Sequence, residues 1–152
     1  MKTLVVVPCG KSKIWNKNPR AGPTKAENAY TGPPFKVNRE YAETFSDKWV
    51  ILSAKYGFMD NDFIIPRDYN VTFNDPKTNP ISASTLKRQA KNRFFEYDCI
   101  VALGGKTYAS LVSQAFEGTG KRVISPTAGL RIGIALGKVK KAVRTNTPFT
   151  CS

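Results

Sequence analysis

The stretch Thr3-Leu-Val-Val-Val-Pro-Cys-Gly-Lys-Ser-Lys13 decides the fold, because it joins an apolar strand to a polar turn. Leu4 to Val7 show no polar alternation, which is typical of a central strand of a parallel sheet. Trp49-Val-Ile-Leu-Ser-Ala-Lys-Tyr-Gly57 repeats the arrangement. Parallel strands end at the same edge of a sheet, and ligands bind beyond their carboxyl ends. We therefore expect the two lysine-bearing turns to meet at one edge.

Apolar runs alternate with segments of helical periodicity along the rest of the chain. Two further strands are predicted at residues 99–103 and 123–125. Residues 14–34 and 57–80 are expected to form two long polar loops. Helices are expected to begin at Pro33 or Pro34, at Ser82 or Ser84, after Gly105, and at Ala128.

Strands that alternate with helices in this order predict one α/β domain over residues 1–152. We expect three layers, in which a mostly parallel sheet of about four to five strands is flanked by helices. Residues 1–144 are assigned to the core and residues 145–152 to a loose tail.

In the last helix, regular glycine spacing favours close packing on the sheet, and close approach to a nucleic-acid backbone is the alternative. These glycines are Gly129, Gly133 and Gly137.

Basic residues dominate the charge of this chain. Lysine and arginine number 24 against 11 acidic residues, which gives a formal net charge of +13. Counterion release favours the binding of a polyanion by such a surface, so we expect a nucleic-acid partner, with DNA favoured over RNA. A generally basic, solvated surface is the alternative. No apolar run approaches membrane-spanning length, so no membrane partner is expected. The oligomeric state is left open.

The absence of histidine excludes several kinds of site. There is no Ser-His-Asp or Cys-His arrangement and no histidine-containing zinc site. The three cysteines, Cys9, Cys99 and Cys151, are too few for a four-cysteine zinc site. No motif requires a metal, although an oxygen-ligated Mg²⁺ site stays open, and no cofactor is expected. The odd number and wide spacing of the cysteines fit a reducing compartment, and without a signal peptide the chain is expected to be cytoplasmic.

The turn Pro8-Cys-Gly-Lys-Ser-Lys13 carries the first candidate catalytic groups. Its glycine and lysines suit a phosphate, although the spacing of a P-loop is absent. Lys13 is a candidate nucleophile, since a neighbouring cation activates a lysine amine. Cys9 is a candidate activated thiol, and Lys11 is a candidate substrate-binding residue. The alternative is a buried structural cysteine with two exposed lysines.

The turn after the second strand places a hydroxyl, an amine and a phenol together. Lys55 is a candidate catalytic amine. Ser53 and Tyr56 are candidate substrate-binding residues, and the ring of Tyr56 is suited to stacking on a base. A core-packing tyrosine before a turn glycine is the alternative.

The segment Pro66-Arg-Asp-Tyr-Asn70 supplies one of the few acids in a basic chain. An acid surrounded by cations stays ionised, which suits Asp68 to stabilising an oxocarbenium-like transition state or to activating water. Tyr69, beside it, is a candidate substrate-binding residue. A simple ion pair with the neighbouring arginine or a turn role is the alternative, and Asp60 and Asp62 are rival acids.

Two further turns lie at the expected edge of the sheet. Tyr30 and Thr31 stand just before the first long helix, where a helix N-terminus binds anions and Tyr30 can face a substrate ring. Gly104 and Gly105 follow the third strand, where their N–H groups can contact a phosphate. Plain turn chemistry is the alternative at both places.

These motifs stand in the order PCGKSK, AYTGPPF, WVILSAKYGFMD, PRDYNVTF, ALGGKTY and PTAGLRIGIAL. Over roughly residues 3–140 the chain resembles a small family of proteins of unknown function, often encoded by phages and found near deazaguanine transglycosylase genes. More distantly it resembles the peroxide-stress protein YaaA and the core domain of archaeosine synthase. The Ser-Ala-Lys-Tyr-Gly stretch is the most specific part of the resemblance.

The resemblance implies an α/β domain that acts on a base in nucleic acid, since DNA glycosylases for modified bases are assigned to the wider group. Archaeosine synthase carries a Pro-Cys-Ser-x-x-Lys-Pro-Tyr motif whose lysine attacks a deazaguanine nitrile. Cys9 and Lys13 match its cysteine and lysine, and the family's later histidine is absent. Gly10 replaces the serine, and Ile14-Trp15 replaces Pro-Tyr. The loop is therefore expected to bind substrate.

Together these features predict an enzyme that processes a base in nucleic acid. The first hypothesis is an N-glycosylase that acts on a modified base in DNA. The target nucleotide would be flipped into the pocket, with Tyr56, Tyr30 or Trp15 stacked on the base. One alternative is a non-catalytic basic DNA-binding protein of a phage or a stress response. Another is an enzyme of the archaeosine-synthase type that modifies a nucleobase or nucleotide.

Overall fold

The structure is a computed structural model that describes residues 1–151. Its strands are β1 Thr3–Pro8, β2 Thr24–Lys25, β3 Lys48–Ser53, β4 Gly57–Asp60, β5 Ile64–Ile65, β6 Cys99–Ala102 and β7 Arg122–Ile124. Its helices are α1 Ile14–Lys17, α2 Ala26–Ala29, α3 Pro33–Phe45, α4 Ala83–Arg93, α5 Lys106–Ala115 and α6 Ile132–Arg144, with a 3-10 turn at Pro76–Thr78. None of the helices within residues 1–151 is long and apolar enough to cross a membrane.

Strand β1 lies at the centre of a five-stranded sheet of order β4-β3-β1-β6-β7. It pairs in parallel with β3 and β6, so that Val5 stands between Trp49 and Val101. Strand β7 extends the parallel part, and β4 is antiparallel to β3. The apolar residues Leu4 to Val7 are fully buried because helices cover both faces of this strand. The prediction of a mostly parallel sheet is confirmed.

Helices cover the sheet on both faces and complete three layers. Helices α3 and α6 pack on one face, where Tyr41 and Val139 belong to the same part of the core as Val5 and Val7. Helices α4 and α5 pack on the other face, where Leu86 and Val112 belong to the second part of the core. Alternate residues of β1 point to opposite faces, so this one strand contributes to both halves of the core.

The two long segments expected as loops contain short regular elements. Residues 14–34 include α1, β2 and α2, and β2 pairs with β5 from the second segment. Residues 57–80 begin with β4, which forms a tight antiparallel pair with β3. Gly57 adopts a positive φ of 74° at this turn, and Gln89 of α4 holds the hairpin through hydrogen bonds to Phe58 N and Tyr56 O.

Helix α6 begins four residues later than expected. Its first residue is Ile132, because residues 126–130 form a turn in which the Thr127 hydroxyl bonds to the backbone of Gly104. The expectation that the glycine repeat packs on the sheet is wrong. Gly133 and Gly137 are exposed, and a Cβ at either position would meet nothing within 4 Å.

The segment after Thr145 is packed, so the expectation of a loose tail is wrong. The ring of Phe149 stacks on Tyr41, and its backbone N–H donates to the Tyr41 hydroxyl at 2.8 Å. Cys151 forms a disulfide with Cys99 at the start of β6. The expectation that the cysteines form no disulfide is therefore also wrong, because the packed C-terminal segment brings Cys151 to the start of β6, across a sequence separation of 52 residues. Cys9 is the free cysteine of the described residues.

The Gly104–Gly105 turn offers a matched pair of substitutions. Gly104 has a φ of +101°, and a Cβ there would lie 2.4 Å from Cγ of Pro8. Gly105 is open around its Cα and occupies the N-cap of α5. We expect G104A to lower the free energy of unfolding by about 2–4 kcal/mol through backbone strain and the clash. G105S should change it by less than about 1 kcal/mol, because serine is favoured at N-caps. Urea denaturation measures both, and equal effects would contradict the placement of the turn.

The disulfide gives a second stability prediction. It closes a loop with a sequence separation of 52 residues. Loop-closure entropy then predicts that C151S lowers the free energy of unfolding by about 4 kcal/mol relative to the disulfide-bonded parent protein. Urea denaturation without reductant measures this loss. In excess dithiothreitol the parent protein should fall to the level of the variant, and a parent protein unaffected by reductant would contradict the bond.

Candidate active site

The topology of the sheet creates a crevice between β1 and β6. The chain leaves β1 through α3 toward β3, and it leaves β6 through α5 toward β7. Helices α3 and α5 lie on opposite faces of the sheet, so the two connections diverge between these adjacent strands. Ligands of open α/β sheets bind at such a switch point, beyond the carboxyl ends of the strands.

A cavity of about 450 Å³ occupies this edge. Its walls come from the turn after β1, from Ala54 after β3, from the loop before the 3-10 turn, and from α5. Most of the lining side chains are polar or aromatic. The lining residues are Cys9, Gly10, Lys11, Lys13, Ala54, Tyr69, Asn70, Val71, Thr72, Asn74 and Tyr108.

Backbone hydrogen bonds fix the turn after β1. Cys9 N donates to Leu52 O of β3 at 3.1 Å, which extends the parallel pairing by one residue. Thr31 N donates to Ser12 O at 3.0 Å, and Lys13 forms an isolated bridge with Tyr30. The turn is thus held from both sides, so its side chains have defined positions at the cavity.

Lys13 lies against the acidic residue that the sequence singled out. Its Nζ is 3.5 Å from Oδ1 of Asp68 and 4.8 Å from the centre of the Tyr69 ring. The Lys13 side chain is 12 % exposed, whereas that of Asp68 is 47 % exposed. Oδ1 of Asp68 also accepts from the Tyr69 backbone N–H at 2.8 Å. Lys13 lines the cavity, and the carboxylate of Asp68 stands next to it, outside the lining. The partner of Lys13 is therefore an acid, not the second lysine that we expected.

Three hydroxyl groups form a buried chain behind the cavity. The Tyr30 and Tyr69 hydroxyls are 2.5 Å apart, and the Tyr69 hydroxyl is 3.2 Å from Oγ of Ser53. Oγ of Ser53 also accepts from the backbone N–H groups of Lys55 and Tyr56. Burial raises the pKa of Tyr69 to about 12 and raises the pKa of Tyr30 as well, so both remain phenols at neutral pH.

Cys9 and Tyr108 meet across the switch point. Sγ of Cys9 is 3.5 Å from the Tyr108 hydroxyl, which joins the turn after β1 to α5. Burial raises the pKa of the Cys9 thiol, although hydrogen bonds from Tyr108 and the Ala54 backbone act in the opposite direction. Burial also raises the pKa of Tyr108. The expectation of an activated thiolate at Cys9 is therefore not met.

The second lysine-bearing turn lies beside the first, as the shared edge requires. Nζ of Lys55 stands 5.4 Å from the centre of the Tyr56 ring and 5.9 Å from that of Tyr69. Tyr56 is half-buried, and its ring packs against Phe63 and against the edge of Tyr69. Neither Lys55 nor Tyr56 lines the cavity itself, so both stand next to it.

Several predicted residues do not reach the cavity. Tyr30 is 3 % exposed and packs on Phe35, and Trp15 is buried with its indole N–H bonded to Ala21 O. The expectation that either ring stacks on a base is wrong, since neither presents a free face. Thr31 contributes its backbone to the turn. Gly104 and Gly105 border a different, smaller cavity.

Other lining residues were not singled out from the sequence. Asn70, Thr72 and Asn74 line the cavity from a loop without periodicity. Tyr108 stands one turn after the Gly104–Gly105 pair at the end of β6, and this position after a strand-end turn is the signal that indicates a site. Within residues 1–151 no cluster of three or more histidine, cysteine, aspartate or glutamate side chains is placed to hold a metal ion.

Comparison with known proteins places the chain in a family. Residues 4–141 match a family described as "Family of unknown function (DUF6884)". The chain belongs to this family. The uncharacterized protein YfjM of Bacillus subtilis (strain 168) is 40 % identical over 145 residues, which cover 94 % of this chain and 96 % of YfjM. No solved structure matches the chain. Membership of DUF6884 confirms the resemblance to a small family of unknown function, and the resemblance to YaaA and archaeosine synthase stays a prediction.

The buried hydroxyl chain gives a prediction for this DUF6884 member. Y69F keeps the ring under Lys13 but removes the hydroxyl shared by Tyr30 and Ser53. We expect the free energy of unfolding to fall by about 1–3 kcal/mol, because two buried polar groups lose a partner. Y97F is the matched control, since the Tyr97 hydroxyl has no hydrogen-bond partner among the described residues, and it should change stability by less than about 0.5 kcal/mol. Equal losses in urea denaturation would contradict the network.

Proposed function

We propose that this protein is an N-glycosylase that releases a modified base from DNA. The observation that supports it most is the pairing of Lys13 Nζ, which lines the cavity at the switch point, with Asp68 Oδ1 beside the cavity, 3.5 Å away. Glycosidic bond cleavage needs a proton donor for the leaving group and a negative charge near the developing sugar cation. An amine and a carboxylate side by side supply both.

The cavity has the size and chemistry for one flipped base. Its volume of about 450 Å³ lies at the lower end of the range for small-molecule sites. The Tyr69 and Tyr108 side chains offer aromatic surface to a base, and the Asn70 and Asn74 amides suit the hydrogen-bonding edge. An enzyme that acts on a base in duplex DNA extrudes the nucleotide into such a pocket.

The reaction that we propose is hydrolysis of the bond between sugar C1′ and the base nitrogen. Lys13 protonates or hydrogen-bonds the leaving base as this bond breaks, and the base departs with the bonding electron pair. The carboxylate of Asp68 stabilises the oxocarbenium-like sugar. Water then adds to C1′ and transfers a proton to the Lys13 amine, which restores the ammonium. In the alternative route, the neutral Lys13 amine attacks C1′ and the base departs with the bonding electron pair and takes up a proton. The bond between C1′ and the ring oxygen then opens to give a Schiff base, which water later hydrolyses to free the amine.

The basic surface supports a polyanionic substrate. The net charge is +13, and Lys11 is exposed at the cavity while Lys55 stands beside it. Both are placed to contact phosphates that flank a flipped nucleotide. With DNA as the substrate, we place the proposed activity in the cytoplasm. Lys13, Cys9 and Tyr69 line one cavity, and this also supports the second candidate, an addition to a nucleobase of the archaeosine-synthase type.

The test is the release of a free base. The protein is incubated with a panel of hypermodified phage DNAs, ordinary DNA and bulk transfer RNA, and the small-molecule fraction is analysed by mass spectrometry. We expect one modified DNA to release its base. D68N and K13M should each lower the rate by about 10²–10⁴-fold, the range for a positioned acid or electrostatic partner. Borohydride trapping of protein on DNA would select the Schiff-base route.

Matched variants separate catalysis from binding. D62N changes an exposed acid that lies before β5 and borders a different cavity, and K17M removes an exposed lysine of α1. Both should retain the full rate. A mass gain in the polymer, with no base released, would favour the addition reaction. DNA binding that falls steeply with salt, with no change in any polymer, would overturn the enzyme and favour a binding protein.

A further inference from the structure

A second cavity, of about 240 Å³, lies between the Gly104–Gly105 turn, α3 and α6. It shares no lining residue with the larger cavity. Its walls are formed by the Asn38 side chain, by the two turns that contain Gly104–Gly105 and Thr127, and by aliphatic side chains. The lining residues are Asn38, Gly104, Gly105, Thr127, Leu130, Ile132, Ala135, Leu136 and Val139.

Asn38 is a buried polar group that the fold itself does not use. The residue is 6 % exposed in the middle of α3, and its side chain lines the cavity. Its amide has no hydrogen-bond partner among the described residues 1–151. Among the described residues no fully buried side-chain N or O atom lacks a partner, so the small exposed part of Asn38 includes its amide atoms. This amide offers both donors and an acceptor to whatever enters the cavity.

Two helix N-termini border the same cavity. Gly105 is the N-cap of α5, and Arg131 is the N-cap of α6, whose first residue Ile132 lines the wall. No N-cap side chain bonds to the backbone of either helix, because Gly105 has no side chain and that of Arg131 makes no capping bond. Neither helix has an acidic residue in its first turn. Backbone N–H groups and the positive ends of both helix dipoles therefore remain available to a negative group.

The remaining walls are aliphatic, and they continue to an apolar mouth. Leu130, Ile132 and Leu136 face the cavity, and Ile132 is 65 % exposed at its rim. No acidic side chain lines the cavity, which disfavours a cation. A ligand that suits these walls carries one compact anionic group on a small apolar body.

We propose that this cavity binds a small carboxylate with a branched aliphatic body. The carboxylate would accept hydrogen bonds from the Asn38 amide and from the first N–H groups of α5. The aliphatic body would pack against Leu130, Leu136 and Val139. This site is separate from the proposed base-processing site, and neither proposal depends on the other.

Titration of the ¹⁵N-labelled protein tests the proposal with three probes. Isovalerate supplies both features, isovaleramide has the same body without the charge, and inorganic phosphate has charge without the body. We expect isovalerate to shift the backbone resonances of Gly105 and Lys106 and the side-chain amide of Asn38. Isovaleramide and phosphate should bind at least about tenfold more weakly. Equal binding of isovalerate and isovaleramide would contradict the recognition of the negative charge. Equal binding of isovalerate and phosphate would contradict the recognition of the aliphatic body.

Substitutions locate the site without disturbing the fold. N38L removes the amide at similar volume and should weaken isovalerate binding by about 10- to 100-fold. G105D places a favourable N-cap carboxylate where the ligand would bind, so it should abolish binding and keep or raise the melting temperature. G22D adds the same charge in open space away from both cavities and should bind like the parent protein. Full binding by G105D, or shifts confined to exposed lysines, would overturn the proposal.

Discussion

The parallel pairing of β1 with both β3 and β6 is the constraint on which the rest of the structure depends. Because β1 is central, the chain leaves it toward one side and leaves β6 toward the other. The helices that follow must then lie on opposite faces, and the carboxyl ends of the two strands are left uncovered between them. The position of the cavity is thus a consequence of strand order, and the side chains at the strand ends determine its chemistry.

A second layer of polar contacts holds those side chains in place. The Tyr69 hydroxyl connects Tyr30, from the segment before α3, to Ser53 at the end of β3. Cys9 and Tyr108 make the corresponding contact between β1 and α5. These groups remain protonated because burial raises their pKa values, so they act as hydrogen-bonding supports. The proposed chemistry depends on the pair of Lys13 and Asp68, in which the lysine is largely buried and the carboxylate is half-exposed.

Local patterns predicted the elements whose burial is continuous along the chain. Residues 4–7 of β1, 49–52 of β3 and 99–102 of β6 are runs of four consecutive apolar residues, and Ser82 caps α4 as its sequence indicates. The late start of α6 depends on a bond between Thr127 and Gly104, which is a contact between distant segments. The Cys99–Cys151 disulfide and the packing of Phe149 are distant contacts of the same kind.

The residues of the candidate site also fall into those that local sequence patterns predict and those that depend on contacts between distant segments. Cys9, Lys11, Lys13, Asp68 and Tyr69 could be predicted, because they stand in short polar turns after apolar strands or in a loop with a rare acid. The sequence could not show that Tyr30 is buried and does not face a substrate, because its burial depends on Phe35 and on the Tyr69 hydroxyl, 39 residues away. Asn70, Thr72 and Asn74 have no local signal, because only the folded loop turns them toward the cavity.

The orientation of the long helices has a kinetic consequence. Helices α3, α4, α5 and α6 all run back from the edge of the sheet that holds the cavities, and none has an acidic residue in its first turn. Each contributes about half a positive charge at that edge, in addition to the lysines. A field of this sign guides anions toward the edge before any contact forms, so encounter rates with them should be fast at low ionic strength and slow as salt rises.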